Sequence, residues 1–356
     1  MGDSPLIASN RHHTPPFRVL GRVYSLIEAE TDREEKMIAR RSFIKGASIG
    51  AIAAVTSGAH VKQSHAQQVP NSVGTEPPKL RAPTDATDCH MHTYDPARFP
   101  MPPNPRVAPT NATVEDYRLL QKRIGTTRVV VVQPRNYSTD NRVTLYAISQ
   151  LGANARGVAV VTPAITDAEL KAYHAGGIRG IRFSLSDPSS RAVTPEMVEP
   201  LAKRIAELGW HVQFNVDGAM IDEMASMLRR LPTPMVFDHL AHPPLPAGVD
   251  HSSHKIVREM IDKGRTWVKV SGAYSNSKIG PPSYPEATKI AQAFVKAAPE
   301  RLVWGSDWPH PGLPDNNKPN DALLFDLLTE WATHEATRNR ILVQNPEALY
   351  GFGKPA

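Results

Sequence analysis

The chain has one cysteine, Cys89, in 356 residues. No intramolecular disulfide can form, and zinc fingers and thiolate-held iron–sulfur clusters are excluded with it. No run approaches 18 apolar residues, so no spanning helix is expected. No G-x-G-x-x-G follows a strand pattern, which removes the phosphate turn that a nucleotide-binding doubly wound sheet would need. Concentrated positive charge is lacking too. The net charge is +6, but residues 1–66 hold nine Lys/Arg against six Asp/Glu, and the remainder holds 32 against 29. A nearly balanced body, with no basic stripe interleaved with aromatics, offers nucleic acid no footprint. What is left is ordinary globular composition, 40% hydrophobic and 21% charged.

Residues 1–66 read as an address. Arg40-Arg41-Ser42-Phe43-Ile44-Lys45 is followed by a weakly apolar stretch of small residues, Gly46 to Ala59, and then by Ser64-His65-Ala66. Charged start, apolar middle and small-x-small end are the parts of an export signal. The arginine pair resembles the twin-arginine signal, with Ile44 in place of its leucine. Twin-arginine export of a folded protein to the periplasm is therefore expected, with the export machinery as a partner. Translation could start at Met37, and cleavage after Ala66 would leave Gln67 first. If the signal is not used, the protein is cytoplasmic. Residues 67–86 read as a polar, Pro-containing linker that is poorly ordered.

From Thr87 to the end, short β-branched runs alternate with helix-period segments. Strand patterns cover Thr87–His92, Thr127–Gln133, Arg156–Val161 and Ile178–Phe183, then His211–Val216, Met235–Asp238, Thr266–Ser271 and Leu302–Asp307. Helical patterns lie between them, the last being Asp321–Thr333. Thr166 with Glu169 forms a capping-box signal, and Thr194-Pro195 reads as a helix start. Eight strands, each followed by a helix, give an α/β fold of the (β/α)8 TIM-barrel type over 87–356.

In such a barrel, catalytic groups project from the C-terminal strand ends. Strand 1 ends Asp88-Cys89-His90-Met91-His92, and residues i and i+2 share a face, so His90 and His92 point together into the mouth. Strand 6 ends Asp238-His239 and strand 8 ends Gly305-Ser306-Asp307-Trp308-Pro309-His310. Arg182 with Ser184, Gln213 with Asn215, and Lys269 with Ser271 share faces on strands 4, 5 and 7. His174, His251, His254 and His334 sit on helix patterns and read as structural. His211 opens its strand, at the wrong end of the barrel. Two inward imidazoles need a partner to justify their desolvation, and Asp307 ends the strand beside them. Arg182, buried, needs a counter-charge: Asp307 or an anionic ligand. Lys269 reads as a ligand contact or as the structural partner of an acid.

These residues carry a family resemblance. Asp88-x-His90-x-His92, Asp238-His239, the segment Trp304-Gly305-Ser306-Asp307-Trp308-Pro309-His310 and the closing Asn345-Pro346-x-x-Leu349-Tyr350 resemble the amidohydrolase superfamily, in its amidohydrolase 2 branch. Gly-Ile-Arg-Gly-Ile-Arg-Phe at 177–183 and Thr139-Asp140-Asn141 resemble the lactonases of that branch, which open or isomerise pyrone, sulfomuconolactone and galactarolactone rings. The resemblance implies a hydrolase of a carboxylic ester: a lactonase in the catabolism of aromatic compounds, taking a small anionic lactone. Asp307 would be the general base, and His90, His92 and His239 would polarise the carbonyl. Arg182 would hold the substrate's carboxylate or sulfonate, with Tyr94, Tyr137, Asn215, Ser271, Tyr274 and His310 lining the pocket. Where pyrone-dicarboxylate hydrolases carry further arginines and tyrosines, this chain has Val107, Pro188, Asn215 and His242, which favours a muconolactone-type ring with a single anchoring anion.

The same resemblance bears on metal. The superfamily's single-metal site takes a histidine from the end of strand 5, where this chain reads Gln213-Phe214-Asn215. The lactonase branch is understood to work without metal, and no cofactor is the expectation. If one zinc or other divalent ion is held, His90, His92, His239 and Asp307 would hold it. A metal-dependent decarboxylase, a lactone isomerase and a non-catalytic exported binding protein are the competing readings. The sequence leaves a homo-oligomer open.

Overall fold

The computed structural model describes residues 67–102, 109, 111–187 and 191–353. The readings at Arg40-Arg41, Met37 and Ala66, and those at Val107 and Pro188, lie outside the described residues. Among the described residues, no helix is long and apolar enough to cross a membrane.

Eight parallel strands follow one another in chain order: β1 (Thr87–Met91), β2 (Arg128–Val132), β3 (Ala155–Ala159), β4 (Ile178–Ser184), β5 (His211–Asn215), β6 (Met235–Phe237), β7 (Thr266–Val270) and β8 (Leu302–Trp304). All are buried apart from half-buried Arg179 and Asn215, as strands covered on both faces must be, and β2 is accordingly four valines after Arg128. The ring closes where Met91 bridges Trp308, where the Asp307 N–H donates to the His90 carbonyl at 2.7 Å, and where the His92 N–H donates to the Trp308 carbonyl at 2.8 Å. Gly305 makes that closure possible. A Cβ there would lie 2.5 Å from the Cβ of His90.

The helices are sequence-encoded in detail. Helix α1 (Val114–Ile124) begins in a capping box of Thr113 with Asp116, buries Val114, Tyr117, Leu120 and Ile124 as one stripe, and stops at Gly125 with φ +92°. Helix α2 spans Arg142–Leu151, and α3 (Asp167–Ala175) starts in the expected Thr166–Glu169 box. Thr194-Pro195 opens a short 3-10 turn that leads into α4 (Val198–Ala206). Helices α5 (Gly218–Arg230), α6 (Ser252–Asp262) and α7 (Pro285–Ala297) follow. The single helix expected over Asp321–Thr333 is two short ones, α8 (Asp321–Asp326) and α9 (Leu328–Trp331), followed by α10 (Glu335–Asn339) and α11 (Asn345–Tyr350).

The end of the barrel where strands begin is plugged by Cys89, Val130, Val158, Val236 and Val303 packed with Tyr350 from α11. His211 stacks edge-on against Tyr350 there, with ring centroids 5.3 Å apart. It therefore lies away from the mouth, as its place at the start of β5 requires.

Residues 67–86 differ from the expected loose linker. They form no helix and no strand, yet they are tied down along their length. Val69 is buried, the Pro70 carbonyl accepts from the Trp308 indole at 2.8 Å, and Arg123 donates to the carbonyls of Val73 and Glu76. The N–H groups of Lys79 and Leu80 donate to Asp326 on α8. Backbone donors and acceptors are satisfied by side chains of the barrel rather than by a ladder.

Candidate active site

His90 and His92 at the end of β1, His239 after β6 and Asp307 after β8 converge at the C-terminal strand ends. Their Nε2 atoms lie 3.4, 3.5 and 3.7 Å from one oxygen, Oδ1 of Asp307. The other oxygen, Oδ2, accepts the hydroxyl of Tyr274. The backbone is strained to place these groups: Asp307 has φ +61°, and His239, Leu240, Ala241 and His242 form an unbroken left-handed run. Non-glycine residues in that region are uncommon, and they collect at functional sites. The amide of Asn276 holds the run by donating to the His239 carbonyl at 3.0 Å. Gly272 leaves room for the imidazole, since a Cβ there would meet its Nδ1 at 2.9 Å.

Hydrogen-bond direction distinguishes the three imidazoles. His92 Nδ1 lies 2.7 Å from the Val132 carbonyl, which only accepts, so Nδ1 carries the hydrogen and a neutral ring offers a lone pair at Nε2. Lys269, fully buried, donates to Gln213 Oε1 at 2.8 Å and faces His90 Nδ1 at 3.2 Å. The ammonium can only donate to His90 Nδ1, whereas Asp238 Oδ1, also 3.2 Å away, can only accept from it, and His90 Nε2 lies 3.2 Å from His92 Nε2. His239 Nδ1 pairs with the Ser271 hydroxyl at 2.9 Å. With the serine donating, His239 presents N–H at Nε2. His239 can thus donate to a carbonyl oxygen from Nε2, whereas a neutral His92 with its hydrogen on Nδ1 offers a lone pair there.

Burial, then the Lys269 ammonium, holds His90 well below the ordinary imidazole range, and burial lowers His239 as well. Burial pushes the Asp307 carboxyl up, but His239, His92 and His90 around it outweigh that and hold it well below the usual carboxylate range. Asp307 is therefore the ionised member of a set that titrates together. Burial and the neighbouring Asp307 charge push the Tyr274 hydroxyl up, so it remains a donor.

Beneath this cluster lies a buried ionic layer. Asp238 Oδ2 pairs with Arg182 Nε at 3.0 Å and accepts from Gln213 at 3.1 Å, while Oδ1 faces Lys269 at 3.5 Å and His90 Nδ1 at 3.2 Å. The counter-charge of Arg182 is thus Asp238, not Asp307. Asp238 was visible in sequence only as the residue before His239. Lys269 is the structural partner of this acid.

The remaining expected residues fall in two groups. Asn215, half-buried at the end of β5, has no side-chain hydrogen bond among the described residues, and the Ser184 hydroxyl is buried without a partner. His242, not expected as a site residue, packs its ring 5.4 Å from His239, and burial lowers it to about 4. These groups are available to a ligand. Tyr94 and Tyr137 are buried, with their hydroxyls bonded to Asn136 and to the Asp95 N–H. His310 is fully buried behind Tyr274, so it does not form the pocket wall. Asp88, the first residue of the Asp88-x-His90-x-His92 motif, accepts from Tyr117, from Ser306 and from the His90 N–H. It braces the strand.

The donor set has the size of a divalent-metal site. His90 Nε2, His92 Nε2 and Asp307 Oδ1 lie 3.2–3.5 Å from one another, close to the edges of roughly 3.3–3.4 Å that a tetrahedron with bonds of about 2.0–2.1 Å requires. His90, His92 and Asp307 would hold the ion, which would polarise a carbonyl or acidify a bound water, while His239, expected as a fourth ligand, groups with His90 and Asp238 instead. The opposing feature is the buried Lys269 ammonium 3.2 Å from His90 Nδ1, a cation that repels a second one held by the same ring.

The family model described as Amidohydrolase matches residues 87–352, and the chain belongs to that family. It is 34% identical over 282 residues to a 2-pyrone-4,6-dicarboxylate hydrolase of Comamonas testosteroni, covering 77% of this chain and 92% of that one. It is 32% identical to a 4-sulfomuconolactone hydrolase of Rhizobium radiobacter, covering 77% and 93%. Among solved structures, one from Agrobacterium tumefaciens superposes with a TM-score of 0.70 at 30% identity, over 78% of this chain and all of that one.

Proposed function

We propose that the protein is a metal-free lactonase that opens a small anionic lactone of the muconolactone type. The observation that carries this is a single carboxylate oxygen, Asp307 Oδ1, faced by three imidazole Nε2 atoms while Tyr274 occupies the other oxygen. Identity above 30% to two named lactone hydrolases supports the reaction class.

In this mechanism Asp307 Oδ1 takes a proton from the water that attacks the ring carbonyl. His90 and His239 donate from Nε2 to the carbonyl oxygen as it gains negative charge. Collapse breaks the ring C–O bond, and the proton on Asp307 passes to the leaving ring oxygen, giving a hydroxy acid. The substrate's carboxylate or sulfonate rests on the Nη groups of Arg182, whose Nε is already taken by Asp238. Ser184, Asn215 and His242 meet the rest of the ring with neutral hydrogen bonds.

Lys269 facing His90 Nδ1 supports the metal-free form of this reading. The Arg40-Arg41 motif supports export to the periplasm. The test is a panel of muconolactone, its sulfonated analogue, the pyrone dicarboxylate and an uncharged butyrolactone, assayed with and without chelator on protein of measured metal content. Turnover of the acidic muconolactones at full rate after chelation is expected. A tightly held metal whose removal abolishes activity would favour the decarboxylase instead.

A further inference from the structure

Lys269 is completely buried on β7, and its ammonium has three hydrogens for three neighbours: Gln213 Oε1 at 2.8 Å, His90 Nδ1 at 3.2 Å and Asp238 Oδ1 at 3.5 Å. Arg182 pairs with the same acid through Oδ2 at 3.0 Å. Two buried cations thus share one carboxylate, and the surplus positive charge lies against His90. Such a charge is costly to bury, and none of the proposed lactonase steps uses it.

Its place has a meaning for metal binding. A histidine that ligates a metal through Nε2 almost always donates its other ring N–H to a carboxylate, a backbone carbonyl or water, which fixes the lone pair on the metal side. His92 has that arrangement, with Nδ1 2.7 Å from the Val132 carbonyl. His90 has half of it, because Asp238 Oδ1 lies 3.2 Å from Nδ1 and can accept. Lys269 contests the same nitrogen. Where the ammonium donates to Nδ1, the ring hydrogen sits on Nε2 and no lone pair faces the mouth. Where Asp238 accepts from Nδ1–H instead, a dication on Nε2 would share one ring with an ammonium 3.2 Å from its other nitrogen. Both arrangements work against a metal, the first through the hydrogen and the second through charge.

We propose that Lys269 is a metal-excluding residue: without its charge, Asp238 Oδ1 alone would hold the Nδ1 hydrogen of His90, and His90, His92 and Asp307 would take up zinc. This rests on the metal-free reading of the site. A carboxylate–histidine support for a metal is already built into β1 and β6, and one side chain from β7 keeps it out of use.

The test is zinc affinity, measured by competition with a chromophoric chelator on metal-stripped full-length protein, with folding checked by thermal melting. Groups behind a metal ligand change metal affinity by about 10–100-fold, so Lys269→Met is expected to bind Zn²⁺ at least about tenfold more tightly than wild type. Lys269→Gln, neutral and still able to donate to Gln213 Oε1, guards against loss of folding in the apolar variant and should show the same gain. Lys269→Arg keeps the cation and should stay as weak as wild type. His92→Ala in the Lys269→Met background should abolish the gain. Equal affinity in wild type and the neutral variants would overturn the proposal, as would a gain shared by Lys269→Arg. So would a gain that survives His92→Ala, which would put the ion among His90, Asp238 and His239. Wild-type protein that already holds one zinc tightly, and loses activity without it, would end the metal-free reading and this proposal with it. Weak binding by wild type with no gain in the variants would end this proposal alone.

Discussion

Arg182 reaches Asp238 through Nε alone, at 3.0 Å, and neither of its Nη groups has a protein partner among the described residues. One edge of the guanidinium is spent on structure, and the other remains for an anion. Arg182→Met should therefore lower kcat/KM on acidic lactones by at least about tenfold, since a charge-assisted hydrogen bond contributes about 1.5–3 kcal/mol. Lys269 still neutralises Asp238 in that variant, so an uncharged butyrolactone should react at nearly the same rate. Equal losses on charged and uncharged rings would mean that Arg182 serves only Asp238.

Asp307→Asn keeps the shape of the side chain and loses the proton acceptor. Its kcat should fall by about 10²–10⁴-fold, with substrate still bound in a calorimetric titration. A rate within tenfold of wild type would place the base elsewhere.

Metal analysis of purified protein should find substoichiometric zinc. Added Zn²⁺ should inhibit, because the ion would compete for the imidazoles and carboxylate that the lactone carbonyl needs. Activation by Zn²⁺ would reverse the metal-free reading.

Stability should fall as the solution is acidified. Burial, and then the Lys269 ammonium, lowers His211 to about 3. For a depressed imidazole the native chain binds fewer protons than the unfolded chain, so its contribution is complete above about 6.5 and is lost as pH falls towards 3. His242, lowered to about 4, acts in the same direction. Asp88 opposes them: burial raises it to about 6, so its contribution grows as pH falls from 6 to about 4. One carboxyl does not offset the histidines. Between pH 6.5 and 5, His211 alone accounts for about 2 kcal/mol, and His211→Leu should flatten the melting-temperature profile by that amount. Parallel wild-type and variant profiles would count against it.

Replacing Arg40 and Arg41 with lysine should abolish export if that pathway reads the guanidinium pair. N-terminal sequencing of periplasmic protein should begin near Gln67, and a mature chain still carrying Met37 there would refute the leader.

The barrel was legible because its strands are β-branched and buried throughout, and each was placed to within a few residues. The strand-1 pair and Asp307 were legible because period-two geometry and barrel closure bring them together. What escaped is set by contacts distant in sequence. Asp238 was the partner of Arg182 because β4, β5 and β6 lie side by side, not because of any local pattern. His242 owes its place to a run of four left-handed residues, 239–242, that no propensity suggests. His310 was read as pocket wall from its place on the loop after strand 8, where its ring is buried behind Tyr274. Hydrogen direction at His92 depended on Val132, 40 residues away.

The strap of residues 67–86 bears on how this protein can be cut and joined. The family match opens at residue 87, but the folding unit opens earlier. Pro70 holds the indole of Trp308, the residue next to Asp307, and Val69 is buried. A domain excised at the homology boundary would leave that indole without its acceptor and would unpin α1 and α8 together. Fusion joints, affinity tags and chimeric barrels therefore belong upstream of Gln67.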